Sequence, residues 1–186
     1  MYSEGGLMIR CTINCKGTKN KIILKKGCFL RNCSFNIFGS DNTIIIGENA
    51  RIINTTFHQE DNKNTISVGN NTNICGKTEL ACIEGTDIEI GNDCLFSSNI
   101  FFRTGDSHSV TDLNGKRINP SKNIKIDNHV WIGQSVTITK GVSIPQNCII
   151  GIGSIVTKRF EEENSAIGGN PAKIIKRGVN WDTTRI

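Results

Sequence analysis

From Ile126 onward an aliphatic residue returns every six positions, at Ile126, Ile132, Ile138, Ile144, Ile150 and Val156. The position four after each anchor repeats as well, reading Val130, Val136, Val142, Cys148 and Ser154, all small or β-branched. A helix would need apolar residues three and four apart, and an alternating strand has period two with no six-residue beat. Period six describes one short strand plus one turn, and three such units close a triangular coil of roughly 18 residues. Each anchor then points inward and stacks on the anchor one coil away, about 4.8 Å along the axis. The pattern predicts an all-β chain wound as a parallel β-helix around an aliphatic ladder.

The first half keeps the beat with regular interruptions. Leu24, Ile46, Val68 and Ile90 lie 22 apart, and their lead-ins are alike: Asn20-Lys21-Ile22-Ile23, Asn42-Thr43-Ile44-Ile45, Asn64-Thr65-Ile66-Ser67 and Thr86-Asp87-Ile88-Glu89. These are read as coils that each carry an extra four-residue bulge at the same corner, rich in turn formers. Lesser anchors fall at Leu30, Ile52, Ile74, Leu80, Phe96 and Phe102, which makes at least six coils. Four segments of one domain spanning 1–186 follow: coils with corner bulges over 1–102, a protruding loop over 103–123, regular coils over 124–158 and a cap over 159–186. Within the cap, Ala172 to Arg177 is expected to form a short closing helix that hides the last open strand edges.

Composition narrows the function. The 22 Lys and Arg against 17 Asp and Glu leave a net charge of +5, spread without a basic block, which suits an anionic small ligand better than nucleic acid. No apolar run is long enough to span a bilayer and Met1 to Arg10 lacks a leader pattern, so a cytoplasmic protein with reduced thiols is expected despite eight cysteines. Cys75, Cys94 and Cys148 stand where a repeat takes a small apolar residue and are read as packing residues.

Three histidines carry the candidate chemistry. His58 falls six after Ile52, on the anchor beat, and reads as structural. His129 sits three after Ile126, at an outward strand or corner position. His108 stands in the loop text Thr104-Gly105-Asp106-Ser107-His108-Ser109, with a carboxylate two residues away. A neutral imidazole can take a proton from a hydroxyl, and a carboxylate can fix its tautomer; a surface histidine in a turn fits the same text. The paired His-x-x-x-x-His spacing of a γ-type carbonic anhydrase is missing, and no Cys/His spacing of a zinc site occurs, so no metal is expected.

The runs Ile126-Asp127-Asn128-His129-Val130-Trp131-Ile132-Gly133, Ile150-Gly151-Ile152-Gly153-Ser154-Ile155-Val156-Thr157-Lys158 and Gly169-Asn170-Pro171-Ala172-Lys173, with the Asp106-Ser107-His108-Ser109 loop, resemble the hexapeptide-repeat acetyltransferases. Within that family they are most similar to the bacterial polysaccharide and sialic-acid O-acetyltransferase branch, over roughly Val68 to Arg177. The resemblance implies a left-handed β-helix, a homotrimer with active sites between neighbouring subunits, and acetyl-CoA along the groove of the C-terminal coils. It makes His108 the catalytic histidine and Trp131 the tryptophan that accompanies it, with Asp106 a candidate to orient His108. Gly133, Gln134, Gly151, Ile152, Gly153 and Thr157 match positions lining the cofactor groove, and Lys158, Lys173 and Lys176 positions at its phosphate end. Ile152 stands where many members have Ala.

The activity implied is direct transfer of acetyl from acetyl-CoA to a sugar or surface-glycan hydroxyl. Arg103, Arg117, Asn119 and Glu79 are candidate acceptor contacts, and the arginine pair favours an anionic sugar. An N-acetyltransferase acting on a nucleotide-linked amino sugar uses the same His108, and a non-catalytic β-helix scaffold is the reading from outside enzymology.

Overall fold

In the computed structural model, which describes residues 2–184, the chain forms the expected left-handed parallel β-helix of about seven turns. Its strands stack into three sheets, here faces A, B and C, with seven, nine and seven strands. Each coil visits A, B and C in order. Lys21–Leu24 lies on A, Phe29–Arg31 on B and Ser34–Phe38 on C before Thr43–Ile46 returns to A. The edges between faces are AB, BC and CA.

The anchors behave as their spacing requires. Ile126, Ile132, Ile138, Ile144, Ile150 and Val156 are all buried, and Ile132 pairs in register with Phe96 and Ile150 in the adjoining coils. Each such side chain contributes about 1.5–3 kcal/mol through burial. In the first half aromatic rungs replace aliphatic ones: Phe35 stacks on Phe57 at 4.8 Å between ring centres. Edge AB turns through the left-handed region at Asn49, Asn71, Asp93, His129 and Asn147, a conformation that short polar side chains tolerate best.

The 22-residue period has a sharper form than a bulge. The four added residues lengthen the strand on face C, to Ser34–Phe38, Thr55–Glu60 and Thr78–Cys82 against Thr137–Thr139 later, and enlarge the CA turn. Buried amides stitch these turns together. Asn42 donates its backbone N–H to Asn20 Oδ1 (3.0 Å), and Asn64 donates both its backbone and its side-chain N–H to Asn42 Oδ1 (2.9 Å each). Gly85 and Thr86 then donate to Asn64 Oδ1 at 3.0 and 3.2 Å. The Thr86 hydroxyl passes the chain on to Thr104 Oγ1 at 2.7 Å, the residue at which the long loop leaves the solenoid. The shared lead-ins of the sequence are this ladder.

Three expectations are corrected. His58 is off the anchor beat: Phe57 is the buried anchor, five after Ile52, so His58 faces outward on face C, 3.2 Å from Glu60. Cys75 is exposed, whereas Cys94 and Cys148 are buried as packing residues. The closing helix does not form. Ser165–Gly169 pairs in parallel with Ile149–Ile150, and Ala172–Arg177 folds back on it antiparallel. A hairpin satisfies the open edge of face B with backbone hydrogen bonds, which a helix laid across it would leave unmade.

Candidate active site

The loop that carries His108 leaves face C after Ile100–Arg103 and rejoins face A at Ile124–Ile126, so it stands on edge CA. Lys122 N–H donates to Thr104 O at 2.9 Å and closes its root. Asn119 holds its interior: the amide donates to Asp106 Oδ2 and to the His108 carbonyl, each at 2.8 Å, and its oxygen accepts from Val110 N–H at 2.7 Å. Two coils clamp the loop from either side. Glu84, on the preceding CA turn, accepts from the Ser121 hydroxyl (2.7 Å) and pairs with Arg117 (2.8 Å); Lys140, on the following turn, pairs with Asp106.

These contacts define the electrostatics. The Lys140 ammonium, then the Asn119 amide, hold the Asp106 carboxyl below its ordinary pKa. The Ser121 hydroxyl and then Arg117 do the same for Glu84. Asp106 Oδ2 thus accepts from both Lys140 and Asn119. Arg117 is neutralised by Glu84, and Arg103 by Glu79 at 2.8 Å on the outer side of face C. His108 itself is exposed. Among the expected acceptor contacts, Arg103 and Glu79 thus form one pair beneath the loop, and Arg117 and Asn119 lie within it.

Trp131 is elsewhere. It lies on the outer side of face B, 40% exposed, between Leu95 and Ile149 in register. In a triangular solenoid edge CA is opposite face B, so one chain holds His108 and Trp131 on opposite sides. Beside Trp131, on edge BC, a groove of about 370 Å³ is lined by Trp131, Gly133, Gln134, Gly151 and Ile152, with Ser97 and Ile149. Gly153 turns the same edge. Thr157 and Lys158 line a separate groove at edge CA with Lys140 and Arg159, and Lys173 and Lys176 are exposed on the closing hairpin. The cofactor set inferred from resemblance therefore divides into an edge BC group, an edge CA pair and two hairpin lysines.

The three glycines of edge BC differ in what demands them. A Cβ at Gly133 would stand 2.9 Å from both Ile150 O and Ile152 N, so coil stacking alone requires glycine there. Gly153 has φ +70°, which glycine adopts without strain. Gly151 has neither reason: its Cβ would meet nothing closer than 3.6 Å. The groove floor at Gly151 is open for backbone approach by a ligand, between the Trp131 indole and the exposed Ile152 side chain.

Sequence reading missed Lys140, Glu84 and Thr104. A signal for Lys140 was available, because the offset that pairs Arg103 with Thr139 across the loop puts Lys140 at its root. It also missed Trp181, whose indole lies flat on His129 at 4.3 Å; no spacing relates the two.

No protein-family model matches the chain. Among known structures, the polysialic-acid-specific acetyltransferase NeuO superposes with TM-score 0.71 at 30% identity, covering 94% of this chain and 83% of that one. The polysialic acid O-acetyltransferase OatWY superposes with TM-score 0.60, also at 30% identity, covering 100% and 93%. In sequence, a polysialic acid O-acetyltransferase of Escherichia coli O1:K1 / APEC is 38% identical over 99 residues, 53% of this chain and 32% of that protein. The chain spans 32% to 50% of the length of the first curated relatives it matches. Among the described residues no helix is long and apolar enough to cross a membrane. With a solenoid of hexapeptide coils, a histidine loop at one edge and likeness to two solved structures over most of their length, the chain belongs to the hexapeptide-repeat acetyltransferase family, on its bacterial polysaccharide branch.

Proposed function

We propose that this chain is an acetyl-CoA-dependent O-acetyltransferase that acts on a hydroxyl of a sugar or bacterial surface glycan, as a homotrimer of the cytoplasm. The observation that carries this reading is the division of the site, with His108 at edge CA and Trp131 with its groove on the opposite side. A neighbouring copy bringing its edge CA against face B completes a site that one copy cannot form, and cyclic assembly repeats that contact around the ring.

Acetyl-CoA supplies the activated acetyl thioester. Gln134, Gly151 and Ile152 bind its pantetheine arm along edge BC, with Gly133 and Gly153 turning that edge, and Thr157, Lys158, Lys173 and Lys176 meet its polar end. The lysines fit phosphate, being exposed cations that can form charge-assisted hydrogen bonds. His108 takes the proton from the acceptor hydroxyl as that oxygen bonds to the acetyl carbonyl carbon. The Trp131 indole N–H steadies the carbonyl oxygen as negative charge develops on it. The carbon–sulfur bond then breaks, and His108 returns the proton to the departing thiolate. Asp106, Asn119 and Lys140 keep the His108 loop in one shape, so less ordering is left for the reaction step.

Complementation tests both the residues and the assembly. His108→Ala and Trp131→Ala homo-oligomers are expected to be inactive in an acetyl-CoA assay that detects free thiol. Unfolded together and refolded at equal amounts, they regain activity, because roughly a quarter of randomly mixed sites receive both intact residues. A mixture as inactive as its components sinks the shared site. Wild-type turnover by either variant alone removes that residue from catalysis.

A further inference from the structure

On the far side of Trp131 from the cofactor groove lies a second cavity, about 380 Å³, at edge AB. Asn71, Asn73, Asp93 and Leu95 form its coil side, and Trp181 and Asp182, from the segment after the closing hairpin, form the other. That segment is fixed. Val179 N–H donates to Asn164 O at 2.9 Å, the Trp181 indole stacks on His129 with planes 9° apart, and Trp181 Nε1–H donates to His129 O at 2.9 Å. The Trp181 ring centre is 6.2 Å from that of Trp131. The cavity therefore adjoins the tryptophan assigned to the reaction, opposite the thioester groove.

Its chemistry is specific. Asn73 donates to Asn71 O and Asn71 to Asp93 Oδ1, each at 3.1 Å, which fixes the amides in line beside a carboxylate. Asparagine amides and carboxylates suit hydroxyl groups, as acceptors for O–H and donors to oxygen, and an aromatic wall suits the apolar C–H face of a pyranose. No Lys or Arg lines the cavity, whereas Asp93 and Asp182 do. A sugar carboxylate would meet two like charges with no Lys or Arg to offset them, the one basic group on the wall being His129, stacked against Trp181. At the loop, Arg103, Arg117 and Lys140 are paired with Glu79, Glu84 and Asp106, and Lys116 and Lys122 do not line this cavity.

From these observations we infer that the edge AB cavity is the acceptor subsite, and that it takes an uncharged polyhydroxyl sugar instead of the anionic sugar that the arginine pair first suggested. The inference deepens the acetyltransferase reading and rests on it only for the role of Trp131. Neither Trp181 nor Asn73 lines the thioester groove; Trp181 packs beside Trp131, whereas Asn73 lies two coils from it in register, so Asn73→Ala is the variant that leaves the groove undisturbed.

Two measurements on the full-length protein test this. Calorimetry without acetyl-CoA compares methyl β-galactoside, methyl α-glucoside, N-acetylneuraminic acid and glucosamine; steady-state kinetics uses the same four as acceptors. At least one neutral hexoside is expected to bind most tightly. Trp181→Ala and Asn73→Ala are each expected to weaken its binding, and raise its KM, by about tenfold or more, with acetyl-CoA affinity unchanged in Asn73→Ala as the control for folding. Tightest binding of N-acetylneuraminic acid or glucosamine, binding of none of the four, or neutral-sugar affinity unmoved by both variants overturns the inference. Neutral-sugar binding that both variants weaken, without acetyl transfer, upholds the subsite and refutes the transferase reading. Transfer that continues with unaltered acceptor KM in both variants does the reverse.

Discussion

Replacing Asn64 by Ala removes the central rung of the amide ladder along edge CA, and the consequences can be counted. Asn64 is fully buried. Its Nδ2 donates to Asn42 Oδ1 (2.9 Å) and to Glu60 O (2.6 Å), and its Oδ1 accepts from the N–H groups of Gly85 (3.0 Å) and Thr86 (3.2 Å). Asn42 Oδ1 keeps a partner in the Asn64 backbone N–H. The Gly85 and Thr86 donors lose the acceptor that serves them. An unsatisfied buried group costs about 1–3 kcal/mol; Gly85 is exposed and its N–H can turn to water, so the buried Thr86 donor together with the lost Nδ2 bonds predicts a loss of about 2–4 kcal/mol. Asn20 sits on the same ladder but is only half-buried; its bond to Gly39 O can pass to water while the N–H of buried Asn42 loses its acceptor, so Asn20→Ala should cost about 1–2 kcal/mol. Urea unfolding at one fixed protein concentration measures both, as a shifted midpoint with unchanged slope. Hydrogen exchange at the Gly85 and Thr86 amides reads the local effect. A loss below about 1 kcal/mol for Asn64→Ala, or equal losses for the two variants, would falsify the assignment of this edge's stability to the ladder.

Gly133→Ala should destabilise the fold by about 1–3 kcal/mol by forcing a Cβ onto neighbouring backbone. Gly151→Ala should leave stability within about 0.5 kcal/mol yet weaken acetyl-CoA binding; equal stability losses would refute the distinction between these glycines. Asp106 and Glu84 have depressed carboxyl pKa values, so their stabilisation of the loop is complete above the ordinary carboxylate range, roughly pH 4, and lost as pH falls through the lowered values. Hydrogen exchange of residues 105–122 should therefore accelerate, relative to the coils, between pH 5 and pH 3, and a flat ratio contradicts the clamp. Burial pushes the Cys33 thiol up to about 12 and those of Cys82 and Cys94 to about 11. Iodoacetamide at pH 8 should label exposed Cys15 and Cys75 on the folded protein and spare those three. Mass spectrometry that finds Cys33, Cys82 or Cys94 labelled at the rate of Cys15 disproves their placement.

What the sequence made legible was whatever repeats. The anchors from Ile126 to Val156 announce a solenoid because each must fill the same place in a stacked core, and the spacing of Leu24, Ile46, Val68 and Ile90 announces an enlarged edge because each coil turns there alike. His58 was misread because the step from Ile52 to the next anchor is five residues, and one residue of slip turns a side chain to the other face of a strand. The segment from Ala172 to Arg177 was misread because local propensity permits a helix, while an unpaired strand edge, invisible in the sequence, selects a hairpin. For the proposed site, the resemblance named His108 and Trp131 but their separation was not legible, since that depends on which face each coil position occupies. The partners of Asp106 and Arg117 come from coils on either side of the loop, at Lys140 and Glu84. Trp181 meets His129 only because the closing hairpin sends the chain back across face B.

The ladder also bears on how such a chain can change over generations. Asn42 and Asn64 occupy equivalent turns one coil apart, and the anchors Leu24, Ile46 and Val68 and the amide rungs Asn20, Asn42 and Asn64 repeat with the same 22-residue step. Loss or duplication of one whole unit, such as 43–64, is therefore expected to leave every rung stacked on a rung of the same kind, because each coil touches only its neighbours. The height of the prism is then a heritable variable that tandem slippage in the gene can tune, while the histidine loop and the two cavities beside Trp131 stay as they are.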